Sequence, residues 1–121
     1  MNFKKFKAAT VQTSPVFLNV EKTIEKAIGF IKEASQNGAT LIAFPEVFVA
    51  GYPYWNWIMT PVQGSKWYEK LYKCSVKSDD ESMKPLFQAA KDNNMHIVIG
   101  INERGDSYGE IYNTNLIIDN N

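Results

Sequence analysis

Gly38-Ala39-Thr40-Leu41-Ile42-Ala43-Phe44-Pro45-Glu46-Val47-Phe48-Val49-Ala50-Gly51-Tyr52-Pro53 is the stretch that decides how this chain folds. Leu41 to Phe44 is uninterrupted apolar sequence, the pattern of a short strand covered on both faces. Pro45 has no N–H to give to a ladder and biases Phe44 towards an extended backbone, so the strand stops there and a loop begins. Glu46 therefore lies just past the strand's carboxyl end, where open α/β sheets gather their ligands. Apolar Val47, Phe48 and Val49 follow it, and partial burial raises a carboxylate's pKa towards the range useful to a general base. A solvated loop glutamate is the commoner outcome at such a position, and position alone leaves both readings open.

On the amino-terminal side, Phe6 to Thr13 reads as a first strand closed by Ser14-Pro15. Asn19 is a suitable N-cap for a helix that carries Val20, Ile24, Ala27, Ile28, Ile31 and Ala34 on one face, and Asn37-Gly38 is a left-handed stop. On the carboxyl side, the spacing of Met83, Leu86, Phe87 and Ala90 predicts a helix over Glu81 to Asn93, followed by the apolar strand Ile97-Val98-Ile99. Gly105 to Gly109 is a turn, and Glu110 to Asp119 returns as a strand, antiparallel if Arg104 to Gly109 closes a hairpin. Gly51 to Asp80 reads as less regular and opens on Tyr52, Tyr54, Trp55 and Trp57. Aromatics this dense beside Glu46 suit a pocket lining, yet Trp55 and Trp57 equally suit burial against the sheet or a partner subunit.

Composition excludes several classes. The 121 residues are 45% apolar and 21% charged, enough for one modest globular domain. Thirteen basic residues balance thirteen acidic ones, so there is no electrostatic footprint for nucleic acid or an anionic membrane, and a small neutral substrate fits better. No apolar stretch is long enough to span a bilayer, and Met1 to Phe6 runs into strand sequence instead of a signal-peptide core, which points to the cytoplasm. The single Cys74 allows no intrachain disulfide.

Gly38, Leu41, Ile42, Phe44, Glu46, Val49, Gly51, Tyr52 and Pro53 stand at the spacing of the amino-terminal motif of the nitrilase branch of the carbon-nitrogen hydrolases. Gly100-Ile101-Asn102-Glu103-Arg104 and Tyr112-Asn113-Thr114 resemble two further strands of that branch, so the resemblance runs from about Lys7 to Asp119. It implies an α/β fold, the amino-terminal part of a four-layer αββα sandwich, with residues 1–121 forming a partial domain. It also implies hydrolysis of a nitrile or amide by a cysteine nucleophile, a glutamate base and a lysine, with no metal or organic cofactor. Glu46 occupies the base position. Tyr52 belongs to the motif and lies six residues beyond Glu46, so its hydroxyl is placed to bond that carboxylate or a substrate.

In the family the lysine follows the strand matched by Asn113 to Asp119, within a His-Arg-Lys-Leu-like stretch, and the cysteine precedes Trp-Glu further on. This chain ends at Asn121, and none of its six lysines after Glu46 has that local context. The expectation is a fragment truncated before the catalytic lysine and cysteine, inactive alone. Its partner is then a homo-oligomer or a complementing carboxyl-terminal fragment. The alternative is a catalytically inactive remnant that serves as an assembly module for full-length relatives.

Cys74 precedes the strand at Ile97 and lacks a following Trp-Glu, so it reads as an ordinary small core or surface residue. His96 reads as a hydrogen-bonded structural histidine, and Glu103 and Arg104 as members of ion pairs. With half a sandwich present, one sheet face and the edge strand bearing Leu116, Ile117 and Ile118 are expected to lack cover.

Overall fold

A computed structural model describes residues 4–121. Four strands form one sheet in the order β1 (Ala8–Thr10), β2 (Leu41–Ala43), β3 (His96–Arg104) and β4 (Ile111–Ile118). The first three run parallel and β4 returns antiparallel to β3, with Ile97 opposite Ile118 and Arg104 opposite Ile111. The expected hairpin is therefore present.

The helix α1 (Val20–Gln36) has the limits its sequence signals: the Asn19 side chain accepts the Lys22 N–H at 3.0 Å, and Gly38 adopts φ 81° beyond the last turn. β1 is shorter than the run Phe6 to Thr13. Because Pro45 ends β2 after three residues, β1 has little to pair with, and hydrogen bonds from Thr40 to Lys7 and from Val11 to Ala43 complete the contact. The helix expected over Glu81 to Asn93 divides into a 3-10 turn, Glu81–Met83, and α3 (Lys84–Asp92). The buried side of α3 is formed by Leu86, Ala89 and Ala90, which leaves Phe87 at its margin. Met83, Leu86 and Ala90 are buried as expected, whereas Phe87 is exposed.

The segment Gly51 to Asp80, read as less regular, holds a helix. α2 (Pro61–Cys74) begins with a capping box in which Thr60 and Gln63 satisfy one another's backbone N–H groups, and Pro61 fills the first turn. The signal Thr-Pro-x-Gln was present, but among the residues of α2 only Gly64 and Leu71 are buried. Trp67, Tyr68, Leu71 and Tyr72 recur at helical spacing along it, and Trp67 stacks on Trp55, although Val62, Trp67 and Tyr68 keep exposed surface.

Helices α1 and α3 cover one face of the sheet. Ile24, Ala27 and Ile31 of α1 and Leu86 of α3 pack in one buried cluster with Ile42, Ile97, Ile99 and Ile101 from the strands. Since side chains alternate along a strand, Val98, Gly100 and Asn102 point to the opposite face, together with their β4 partners Ile117, Asn115 and Asn113. No helix packs there among the described residues; Ile117 is 75% exposed. The expectation of an uncovered edge holds for Ile117, whereas Ile118 turns inward and is buried.

After Ala43 the chain leaves the sheet and rejoins it at Val49, whose N–H donates to the Gly100 carbonyl at 3.1 Å and whose carbonyl accepts from Asn102 N–H at 2.6 Å. The intervening backbone crosses directly over Gly100. A Cβ there would stand 2.6 Å from the Pro45 carbonyl oxygen and 2.8 Å from the Glu46 carbonyl carbon, and would also meet the Val47 nitrogen. Only glycine leaves this space.

Gly100→Ala is therefore expected to lower stability by about 2 kcal/mol, within the usual range for overpacking a close contact, read as a reduced urea midpoint at unchanged slope. An unchanged midpoint would show that the loop shifts freely. The open face and the β4 edge also predict that purified Met1 to Asn121 self-associates and binds hydrophobic dyes. A monomeric, dye-silent chain with cooperative thermal unfolding would contradict that expectation.

Candidate active site

The strand β2, its terminating proline and the crossing over Gly100 place Glu46 at the carboxyl end of the parallel strands, on the face opposite α1 and α3. Its neighbours Val47, Phe48 and Val49 are buried, but Glu46 itself is exposed. Of the two readings that position left open, the solvated loop glutamate is the one found, because the three apolar residues turn into the fold while the turn projects Glu46 outward. Val47 takes up this reversal with φ 41°, a left-handed conformation disfavoured for a β-branched residue. Strain of this kind costs on the order of 1–3 kcal/mol and persists where the surroundings fix the residue. Here the fixing is burial, since Val47 is only 3% exposed.

Two asparagines opposite one another on β3 and β4 hold this loop. Asn102 is buried, and its side-chain amide donates to the Gly51 carbonyl at 2.9 Å and to the Val49 carbonyl at 3.4 Å. Asn113 lies across from it in the ladder and donates to Glu46 Oε1 at 2.6 Å. Neither role is legible in the local sequence: both belong to matched motif strands, but the Asn113 contact spans 67 residues and exists only once β4 is in register.

Glu46 and Tyr52 line a common cavity of about 450 Å³, walled largely by Phe17, Phe48, Trp55 and Trp67. Tyr52 does not bond the carboxylate; its hydroxyl accepts from Trp57 Nε1 at 3.3 Å, and its ring leans on Tyr54 with centroids 5.0 Å apart. Trp55 is buried against Ala50 and Leu71 and still contributes to the cavity wall, whereas Trp57 is exposed. Of the two expectations for these aromatics, burial and pocket lining, Trp55 meets both.

The remaining candidates lie elsewhere. Cys74 ends α2, is absent from the cavity wall, and directs its Sγ to the Leu18 carbonyl at 3.3 Å. Burial pushes its thiol pKa up, the opposite of what a nucleophile needs. His96 begins β3 on the surface, with Nδ1 3.2 Å from Asp119 Oδ1. Arg104 pairs with Asp80 at 3.3 Å and donates to the Ser75 carbonyl at 2.9 Å, fastening the segment after α2 to β3. Glu103 accepts from the Thr114 hydroxyl at 2.7 Å. Both motif residues serve the hairpin and its flank. Among the described residues, no group of three or more His, Cys, Asp or Glu side chains could hold a metal ion, and no helix is long and apolar enough to cross a membrane.

The profile of one protein family, described as carbon-nitrogen hydrolase, matches residues 7–121. The chain belongs to the carbon-nitrogen hydrolase family. An aliphatic nitrilase from Rhodococcus rhodochrous is 42% identical over 115 residues, 94% of this chain and 31% of the relative. A cyanide hydratase from Leptosphaeria maculans is 40% identical over 85% of this chain and 29% of its own length. Among solved structures, a glutamine-dependent NAD+ synthetase from Acinetobacter baumannii superposes with a TM-score of 0.60 at 26% identity, covering 98% of this chain and 19% of that one. The chain thus spans about a third of the length of the curated relatives it matches. Its sheet, with α1 and α3 on one face, is part of the carbon-nitrogen hydrolase α/β fold.

A thiol poised for nucleophilic attack reacts quickly with alkylating agents, and Cys74 is expected to behave otherwise. With its pKa raised by burial, it holds less thiolate at pH 8 than free cysteine, so iodoacetamide should modify it more slowly. A rate equal to or above that of free cysteine would show that the thiol is neither buried nor inert.

Proposed function

We propose that this chain contributes the general base, Glu46, to a nitrilase-type hydrolase that converts a nitrile to a carboxylic acid and ammonia. The observation that carries the reading is Glu46 at the strand end, bonded to Asn113 and opening on an aromatic cavity shared with Tyr52. The names of the relatives, aliphatic nitrilase and cyanide hydratase, support a nitrile or cyanide as the substrate class. Tyr52 is assigned to substrate binding within that cavity.

In this reading the nucleophile is a cysteine and the electrophilic stabiliser a lysine, both outside residues 1–121. A thiol has a reference pKa of about 8.5, so a carboxylate beside it serves to take its proton. The thiolate adds to the nitrile carbon, forming the C–S bond of a thioimidate as the nitrogen gains the proton. The lysine ammonium steadies the charge developing on that nitrogen. Addition of water and expulsion of ammonia give an acyl-enzyme, and a second water releases the acid and restores the thiol. Glu46 acts by holding and returning protons at each addition.

Residues 1–121 alone are proposed to be inactive. Ammonia release from a nitrile is expected only when the chain is mixed with a piece bearing the His-Arg-Lys-Leu and Cys-Trp-Glu stretches. In that mixture Glu46→Gln should lower the rate at least about a hundredfold, the usual scale of general acid–base catalysis. Activity surviving Glu46→Gln would refute the assigned base. The second reading, an assembly module for full-length relatives, draws on the exposed Trp57, Ile58 and Val62 beside the cavity and on the open β4 edge.

A further inference from the structure

The crossing over Gly100 fixes where the Glu46 backbone runs, but the exposed carboxylate at the end of a flexible side chain still has several rotamers open to it. Only one hydrogen bond to that carboxylate is formed among the described residues, from the Asn113 amide at 2.6 Å. Asn113 is itself placed by the β3–β4 register, which sets it opposite Asn102. Asn102 in turn grips the backbone on the far side of the same loop through the Gly51 and Val49 carbonyls. The loop is therefore held at two points by one cross-strand pair, its backbone by β3 and its carboxylate by β4.

The chemistry of the two contacts differs. Asn102 bonds neutral carbonyls in a buried setting, where losing the donor would leave oxygens unsatisfied, so its contribution is to the stability of the loop. Asn113 bonds a carboxylate, and an amide N–H directed at one carboxylate oxygen fixes the plane of the group and leaves the second oxygen, Oε2, free to face a reacting proton. Thr114, one residue on, points to the other face of β4 and bonds Glu103 instead. The alternation of the strand thus assigns the two neighbouring side chains to two different carboxylates.

We propose that Asn113 is the positioning residue of Glu46: its side-chain amide holds Oε1 and so directs Oε2 at the proton to be moved. The proposal rests on the reading of Glu46 as the base, but it concerns geometry and can fail separately. If Glu46→Gln left turnover intact while the Asn113 contact proved real, the base assignment would fall and the contact would stand.

The test reverses the polarity of the bond. Asn113→Asp keeps the size of the side chain but removes its donor and sets two carboxylates face to face. Combining it with Glu46→Gln rebuilds one N–H···O bond in the opposite sense, the new amide at 46 donating to the new carboxylate at 113. Hydrogen exchange of the full chain, followed by mass spectrometry on peptides covering residues 44–52, applies in any assembly the chain forms, with peptides covering Ile97 to Ile101 as the control for global unfolding. Asn113→Asp is expected to speed loop exchange about tenfold with the control unchanged, and the double variant to return it to within about twofold of the original. Asn113→Ala, which adds no repulsion, should give a smaller acceleration of about threefold. Loop exchange unchanged in both single Asn113 variants would overturn the proposal. So would a double variant as fast as Asn113→Asp, because a general structural role for Asn113 could not be rescued by a substitution at Glu46. Should Asn113→Asp also speed the control peptides, Asn113→Ala and the double variant decide the matter by the same criteria.

Discussion

The close approach of the Pro45–Val47 backbone to Gly100 is the constraint on which the site depends. Because nothing projects from Gly100, the chain leaving β2 can cross the third strand and return at Val49, where the ladder resumes through the Gly100 carbonyl and the Asn102 N–H. That detour is what lifts Glu46 out of the plane of the sheet. It also accounts for the left-handed Val47, whose burial holds the reversal in place. A side chain at position 100 would displace the loop, and with it the carboxylate, the cavity wall formed by Pro45 to Phe48 and the backbone oxygens that Asn102 holds.

Much of this was legible in the sequence where the signal is local. α1 carries both its signals, a capping asparagine and a left-handed glycine, and the period between them fixes the buried face. The end of β2 follows from Pro45 alone, and the place of Glu46 follows from the end of β2. α2 went unrecognised although Trp67, Tyr68, Leu71 and Tyr72 recur at helical spacing and Thr60 supplies a cap, because exposed Val62 and buried Gly64 blur the stripe in its first turn. Phe87 was misplaced because the buried side of α3 is centred on Leu86, Ala89 and Ala90, and Phe87 lies at its margin.

The exposure of Glu46 was one of two readings that its position left open. Apolar neighbours suggest a buried residue only when the backbone carries them in the same direction, and the turn at Val47 sends them the other way. The Asn113 bond was out of reach. It requires the hairpin register, which sets Asn113 opposite Asn102, and the loop crossing, which brings Glu46 over the same face. Each is a tertiary fact, and the short-range pattern around Asn113 contains neither.

The open face ties the energetics of the fold to those of the site. Ile117 and the β4 edge are apolar and uncovered, so any surface that closes over them, whether a second copy or a complementing piece, gains from burying them. Asn113 and Asn115 extend along that same face, and Glu46 stands at its margin. In water, an amide–carboxylate bond competes with solvent and contributes little; once water is excluded it strengthens. Covering the sheet would therefore stabilise the chain and tighten the hold of Asn113 on Glu46 in a single step. The hydrogen bond to Asn113 gives that step a direction, because it fixes the carboxylate before the dielectric drops and spares the closed site the cost of ordering it.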